Sequence, residues 1–187
     1  MRAAVMALQG AFAEHEHALQ QLGVETFQVR RLSDWWQPKD ALILPGGEST
    51  VQMRLMQQFG LFHHVRDAIL GGLPVFGTCA GMILLSEGYL GTLHVEVLRN
   101  AYGRQSGSFH QSGVVEGIGG TVPMTFIRAP YVSRVNSPDV EVLAKVDGHV
   151  VAVRQGCQLA TAFHPELDED TRLYRYFVRL AAIMSDR

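Results

Sequence analysis

The chain predicts an α/β fold: a three-layer open sheet with a mostly parallel centre and antiparallel strands added in its second half. Three observations predict it. In the first half, short apolar runs alternate with segments of helical periodicity, the pattern of parallel strands joined by crossover helices. Those runs show no polar alternation, as expected of strands covered on both faces. In the second half strand-like runs follow one another closely, and Asp147-Gly148 between "VEVLAKV" and "HVVAVR" marks a hairpin.

Taken in order, residues 3–8 form a first buried strand, and residues 11–22 a helix with Ala11, Ala18, Leu19 and Leu22 on one face, stopped by Gly23. Strands follow at 24–29 and 41–44, the latter ending in "PGGEST". Helical stretches occupy 51–59 and 61–70, broken by Gly71-Gly72, and a short strand runs through 74–76. Further strands are expected at 93–98, 113–116, 121–127, 140–153 and 159–163. A last helix carries Leu173, Tyr176, Phe177, Leu180, Ala181 and Met184 on one stripe, with Asp168, Glu169 and Asp170 where its dipole favours negative charge.

The bulk numbers narrow the function. With 187 residues, no repeat and no linker, residues 1–187 read as one domain. A composition of 47% hydrophobic and 18% charged residues is that of a globular chain. A formal charge of −2 argues against a nucleic-acid surface or a basic membrane face. The apolar run near the N-terminus is too short for a signal peptide, and no run reaches the ~20 residues of a membrane span. Cys79 and Cys157, the two cysteines, make neither a disulfide framework nor a zinc pattern, which fits a reducing, cytoplasmic setting and no metal.

Cys79 stands apart. Gly77-Thr78-Cys79-Ala80-Gly81 has the spacing of a nucleophile elbow, a tight strand-to-helix turn where a Cβ on either flank would collide with neighbouring backbone. Such a turn puts the thiol at a helix N-terminus, whose orphan N–H groups can serve a thiolate and an oxyanion. Cys157 has no such context and reads as structural.

A thiol nucleophile needs a base. Of eight histidines, His15, His17, His63 and His64 fall on helices as ordinary surface groups, and His94, His110 and His149 in or beside strands. His164 differs: it follows the apolar run "LATAF" and precedes Pro165-Glu166, a spacing that brings a carboxylate to its ring as the third member of a triad. The third piece is "LILPGGEST", residues 42–50, whose two glycines end a buried strand at the sheet edge where ligands bind. Ser49 or Thr50 would cap the helix that follows.

These pieces resemble the class I (triad-type) glutamine amidotransferases. The strings "ALQGAFAEH", "LILPGGEST", "FGTCAGMILL", "RNAYGRQSGSF", "FIRAP" and "AFHPEL", in this order along essentially the whole chain, are similar to the family of glutaminase subunits of pyridoxal 5′-phosphate synthase. The resemblance implies a flavodoxin-like fold and hydrolysis of L-glutamine to L-glutamate and ammonia. Cys79 would be the nucleophile, His164 the general base and acid, and Glu166 its orienting partner. Backbone N–H groups of Gly47 and Ala80 would form the oxyanion hole. Glutamine would be held by Gly47, Glu48, Ser49, Arg99, Ile127 and Arg128, with no cofactor. It further implies a large complex with a synthase subunit on another chain, without which the glutaminase is poorly active. Residues 9–15 are the candidate contact with that subunit. Two features depart from the family: the 86–93 segment is short, and His110 stands where members commonly have glutamate.

Three other readings compete. A glutaminase of another pathway is opposed by "RNAYGRQ" and "FIRAP". A cysteine peptidase or redox sensor of similar fold often has histidine directly after the elbow cysteine, where this chain has Ala80. A non-catalytic binding module would be expected to lack a triad member, and all three are present.

Overall fold

The computed structural model describes residues 1–100 and 107–185. Its centre is a parallel sheet of β1 (Arg2–Met6), β2 (Glu25–Val29), β3 (Ala41–Leu44), β4 (Val75–Thr78) and β11 (Gln158–Thr161), in the order β2-β1-β3-β4-β11. β3, β4 and β11 are buried along their whole lengths, as their unbroken apolar runs require. Beyond β11 the sheet turns antiparallel, through β10 (His149–Gln155), β8 (Tyr131–Val135) and β5 (Val95–Leu98), while β9 (Val140–Val146) pairs with β10. A separate antiparallel hairpin joins β6 (Ser108–Val114) to β7 (Thr121–Ile127).

Helices cover both faces. Phe76 on β4 meets Tyr174 and Phe177 of α6 (Arg172–Ser185) and His15 of α1 (Phe12–Gln20). Gly77, the next residue, points the other way, and a Cβ there would lie 2.7 Å from the Gly81 carbonyl in α5 (Ala80–Leu85). α5 packs in turn against α3 (Ser49–Gln58), which contacts α4 (Phe62–Leu70). Sequence alternation along β4 thus sorts the helices between the two layers.

The expected elements are present with shifted ends. The 140–153 run divides at Asp147 and Gly148, at φ 49 and 81, the paired positive angles that a two-residue hairpin turn demands. The strand expected at 113–116 overlaps the end of the longer β6, whose exposed Ser108, His110 and Ser112 disguise its start. Two elements were not expected. One is β8, where Ser133 and Arg134 interrupt the apolar pattern, and the other is α2 (Leu32–Trp35), a single turn too short to show periodicity. Neither Ser49 nor Thr50 caps α3. Glu48 occupies that position in an extended conformation and Ser49 is already helical.

Close backbone approach fixes where α5 begins. A Cβ on Gly81 would stand 2.0 Å from the Leu44 carbonyl oxygen at the end of β3. Alanine is otherwise about 1 kcal/mol better than glycine inside a helix. Gly81→Ala is nonetheless expected to destabilise the fold by about 2 kcal/mol or more, read as a lower urea midpoint; an unchanged or raised midpoint would contradict this packing.

Candidate active site

β4 delivers Cys79 to the carboxyl edge of the sheet, and the turn there is severe. Cys79 sits at φ 49 and ψ −101, a left-handed conformation that an L-residue adopts only when its surroundings enforce it. Its N–H donates to the Thr161 carbonyl at the end of β11, 2.7 Å away, and Gly77 and Gly81 make room on either side. Ala80 opens α5, so its N–H has no acceptor within its own helix. The Cys79 thiol is nearly buried and lies 3.9 Å from the Ile127 carbonyl oxygen at the end of β7.

His164 reaches the thiol from the neighbouring strand. After β11 the chain passes through buried Ala162 and Phe163, and the His164 N–H donates to the Thr125 carbonyl of β7. Pro165 then starts a 3-10 turn over Pro165–Leu167, which swings Glu166 back so that its Oε1 lies 2.6 Å from His164 Nδ1. Burial works to lower the His164 pKa. Hydrogen bonds with Cys79 and Glu166 outweigh it and raise the pKa to about 10, so the ring holds its proton at neutral pH. Burial likewise works to raise the Glu166 carboxyl, and His15 and His164 together hold it below the ordinary carboxylate value.

The cleft in front of these groups has a volume of about 520 Å³ and brings the expected residues together. Gly47, Glu48, Ser49, Arg99, Ile127 and Arg128 all line it beside Cys79 and His164. Gly47 is at φ 150, and a Cβ there would lie 2.4 Å from Gln9 Oε1. Arg128 is held at φ 45, with its N–H bonded to the Gly107 carbonyl. Ala80 and Glu166 are buried and are not part of the cleft lining. Residues 101–106, the middle of "RNAYGRQSGSF", lie outside the described residues.

The structure adds residues that sequence reasoning did not assign to the site. Gln9, Asn100 and Ser108 also line the cleft. Gln9 Oε1 accepts the Glu48 N–H at 2.7 Å, so the loop after β1 braces the loop after β3. Gly46, the first glycine of "PGG", gives His164 its space: a Cβ there would lie 2.4 Å from the ring. His15, expected as a surface group, is wholly buried, because position 15 shares the inner face of α1 with Ala18 and Leu19. The 9–15 segment expected to face a partner therefore turns its last residue inward. Cys157 is buried with its thiol pushed up by desolvation, in keeping with a structural part. His110 pairs with Asp168 at 3.4 Å.

Among the described residues no group of three or more His, Cys, Asp or Glu side chains is arranged to hold a metal ion. No helix there is long and apolar enough to cross a membrane.

Known proteins share this architecture. The SNO glutamine amidotransferase family model matches residues 5–182. A Methanocorpusculum labreanum protein named pyridoxal 5′-phosphate synthase subunit PdxT is 53% identical, over 97% of this chain and 98% of that protein. A Streptococcus pneumoniae protein of the same name is 49% identical, over 96% and 97%. A crystal structure described as a glutamine amidotransferase superposes with a TM-score of 0.89 at 46% identity, covering 96% of this chain and 98% of that one. The Thermotoga maritima PurLQS structure, at 20% identity and a TM-score of 0.66, shares the fold. By a family match that spans nearly its whole length, and by relatives sharing about half its residues, the chain belongs to the SNO glutamine amidotransferase family.

Proposed function

We propose that the chain is the glutaminase subunit of a pyridoxal 5′-phosphate synthase, in which Cys79, His164 and Glu166 hydrolyse L-glutamine. The observation that carries this is convergence. A thiol on a strained turn, an imidazole bound to a carboxylate at 2.6 Å, and six residues suited to hold an amino acid meet at one cleft. In this reading residues 1–187 act as one glutaminase domain in the cytoplasm.

The chemistry follows from the groups present. Cys79 attacks the side-chain amide carbon as the thiolate, its proton held on His164; an S–C bond forms, and the carbonyl electron pair moves onto oxygen. The N–H groups of Gly47 and Ala80 receive that oxyanion; one such donor is typically worth about a hundredfold or more in rate. His164, already protonated, gives its proton to the amide nitrogen as the C–N bond breaks and ammonia leaves. The γ-glutamyl thioester remains. His164 then takes a proton from water, which attacks the thioester, and the C–S bond breaks to release glutamate. Glu166 orients the ring and balances its charge. Arg99 or Arg128 suits the substrate α-carboxylate, with Glu48, Ser49 and the Ile127 backbone holding the rest.

Ammonia freed into neutral water is mostly protonated and loses its nucleophilic lone pair. A glutaminase that feeds a synthesis therefore has to pass ammonia on directly. The acceptor is a separate synthase subunit, which uses it to build pyridoxal 5′-phosphate for vitamin B6.

Three outcomes follow. Cys79→Ala abolishes ammonia release from glutamine in the presence of the synthase subunit; retained activity would contradict the mechanism. Glu166→Gln removes the charge that holds the imidazolium. It lowers the His164 pKa below about 10, read by NMR titration, and lowers kcat by at least about a hundredfold. An unmoved titration would show that the carboxylate does not set the ring's charge. Glutamate release is faster with the synthase subunit than without it, and equal rates would remove the partner from the account.

A further inference from the structure

Behind the triad lies a buried cluster that the chemistry above does not use. His15, on α1, is fully buried. Its Nδ1 lies 2.7 Å from the Tyr174 hydroxyl of α6, and its Nε2 lies 3.0 Å from Thr78 Oγ1 of β4. The same Nε2 is 3.6 Å from Glu166 Oε2, the carboxylate oxygen that His164 leaves free. That oxygen is buried and has no hydrogen-bond partner among the described residues. The Phe76 ring stands edge-on to His15, and the charges of His164 and Glu14 also act on it.

The tautomer of His15 follows from these neighbours. Burial lowers its pKa from the ordinary value despite the pull of Glu166, so the ring is neutral, with one donor and one acceptor. Were Nδ1 to carry the hydrogen, the Nε2 lone pair would point toward a buried carboxylate oxygen 3.6 Å away, a repulsive arrangement. With the hydrogen on Nε2, the N–H dipole is directed at Thr78 Oγ1 and lies beside Glu166 Oε2. Nδ1 then accepts from the Tyr174 hydroxyl, which stays protonated because burial raises its pKa well above the ordinary value. The His15 Nε2–H and the Tyr174 O–H then each meet an acceptor. Thr78 Oγ1 also accepts the Gly46 N–H at 3.1 Å, one peptide before the glycine assigned to the oxyanion hole.

We propose that His15 is a positioning residue: as the neutral Nε2–H tautomer fixed by Tyr174, it supports the free oxygen of Glu166 and, through Thr78, ties that carboxylate to the Gly46-Gly47 loop. One buried ring thus braces both ends of the site, the carboxylate behind the base and the backbone that receives the oxyanion. The role rests on the triad assignment made above and extends it. His15 touches neither substrate nor thiol. Its effect is on how often Glu166 is ionised and aligned when glutamine is bound.

The test is steady-state glutamine hydrolysis by the full chain with its synthase subunit, across pH, for His15→Leu, His15→Gln, Tyr174→Phe and Cys79→Ser. His15→Leu removes the N–H beside Glu166. It should lower kcat about tenfold while KM for glutamine stays within about twofold. The Glu166 carboxyl should then ionise at higher pH, moving the acidic limb of the kcat profile upward. His15→Gln keeps an N–H donor and should recover part of both. Tyr174→Phe removes only the hydroxyl that fixes the tautomer, so it should move both readouts the same way, by less, even if His15→Leu fails to fold. A folded His15→Leu, or Tyr174→Phe, with unaltered kcat and acidic limb would overturn the role of His15, as would His15→Gln no better than His15→Leu. Cys79→Ser separates the two levels: full activity in that variant would overturn the triad itself, whereas a dead Cys79→Ser beside unaffected His15 variants would overturn this inference alone.

Discussion

Cys79 is held at a backbone conformation that would relax if the chain around it let go. Two things prevent that. Its N–H is fixed to the end of β11, and α5 starts so close to β3 that Gly81 nearly touches the Leu44 carbonyl. The strain is therefore carried by the middle of the sheet, where β3, β4 and β11 are wholly buried and strongly paired. Around this turn the other parts of the site fall into place. β11 runs parallel to β4 and so ends beside it, which delivers His164 to the thiol. β3 ends on the other side, which delivers Gly46 and Gly47. The β6–β7 hairpin lies outside the main sheet and closes the cleft from above with Ile127 and Arg128.

Much of this was legible in the sequence because steric demands leave marks. Glycines at both flanks of Cys79, an apolar run before it and a helix after it specify the elbow without knowledge of the fold. "HPE", weak alone, pointed beside the elbow to a carboxylate folded back on an imidazole, and the structure places the two 2.6 Å apart. The doublet "PGG" marked a loop at the sheet edge, though not that its first glycine exists to admit the His164 ring. What could not be read depended on contacts distant in sequence. His15 looked like one polar residue in a helix of modest amphipathicity. Only the approach of α6, 159 residues away at Tyr174, shows that it is inside. β8 was hidden for a related reason: Ser133 and Arg134 are adjacent and both exposed, so the end of this strand in the antiparallel wing shows no apolar alternation.

The same contrast runs through the electrostatics. Desolvation alone would strip His164 of its proton and protonate Glu166, leaving two neutral groups. Their mutual hydrogen bond, the thiol on one side and His15 on the other reverse both tendencies. A protonated base beside the nucleophile has the leaving-group proton in place before the C–N bond begins to break. The charge separation is possible in a buried site because each member is held by another: ring by carboxylate, carboxylate by ring and His15, His15 by Tyr174.

The central claim is that glutamine passes through a covalent bond to the thiol on this turn. Acid quench of the chain during glutamine turnover with its synthase subunit, followed by peptide mass analysis, tests it directly. The account predicts one γ-glutamyl unit on the peptide that contains Cys79, and none on the peptide that contains Cys157. A γ-glutamyl adduct on Cys157, or turnover with no adduct on Cys79 under conditions that preserve a thioester, would contradict it.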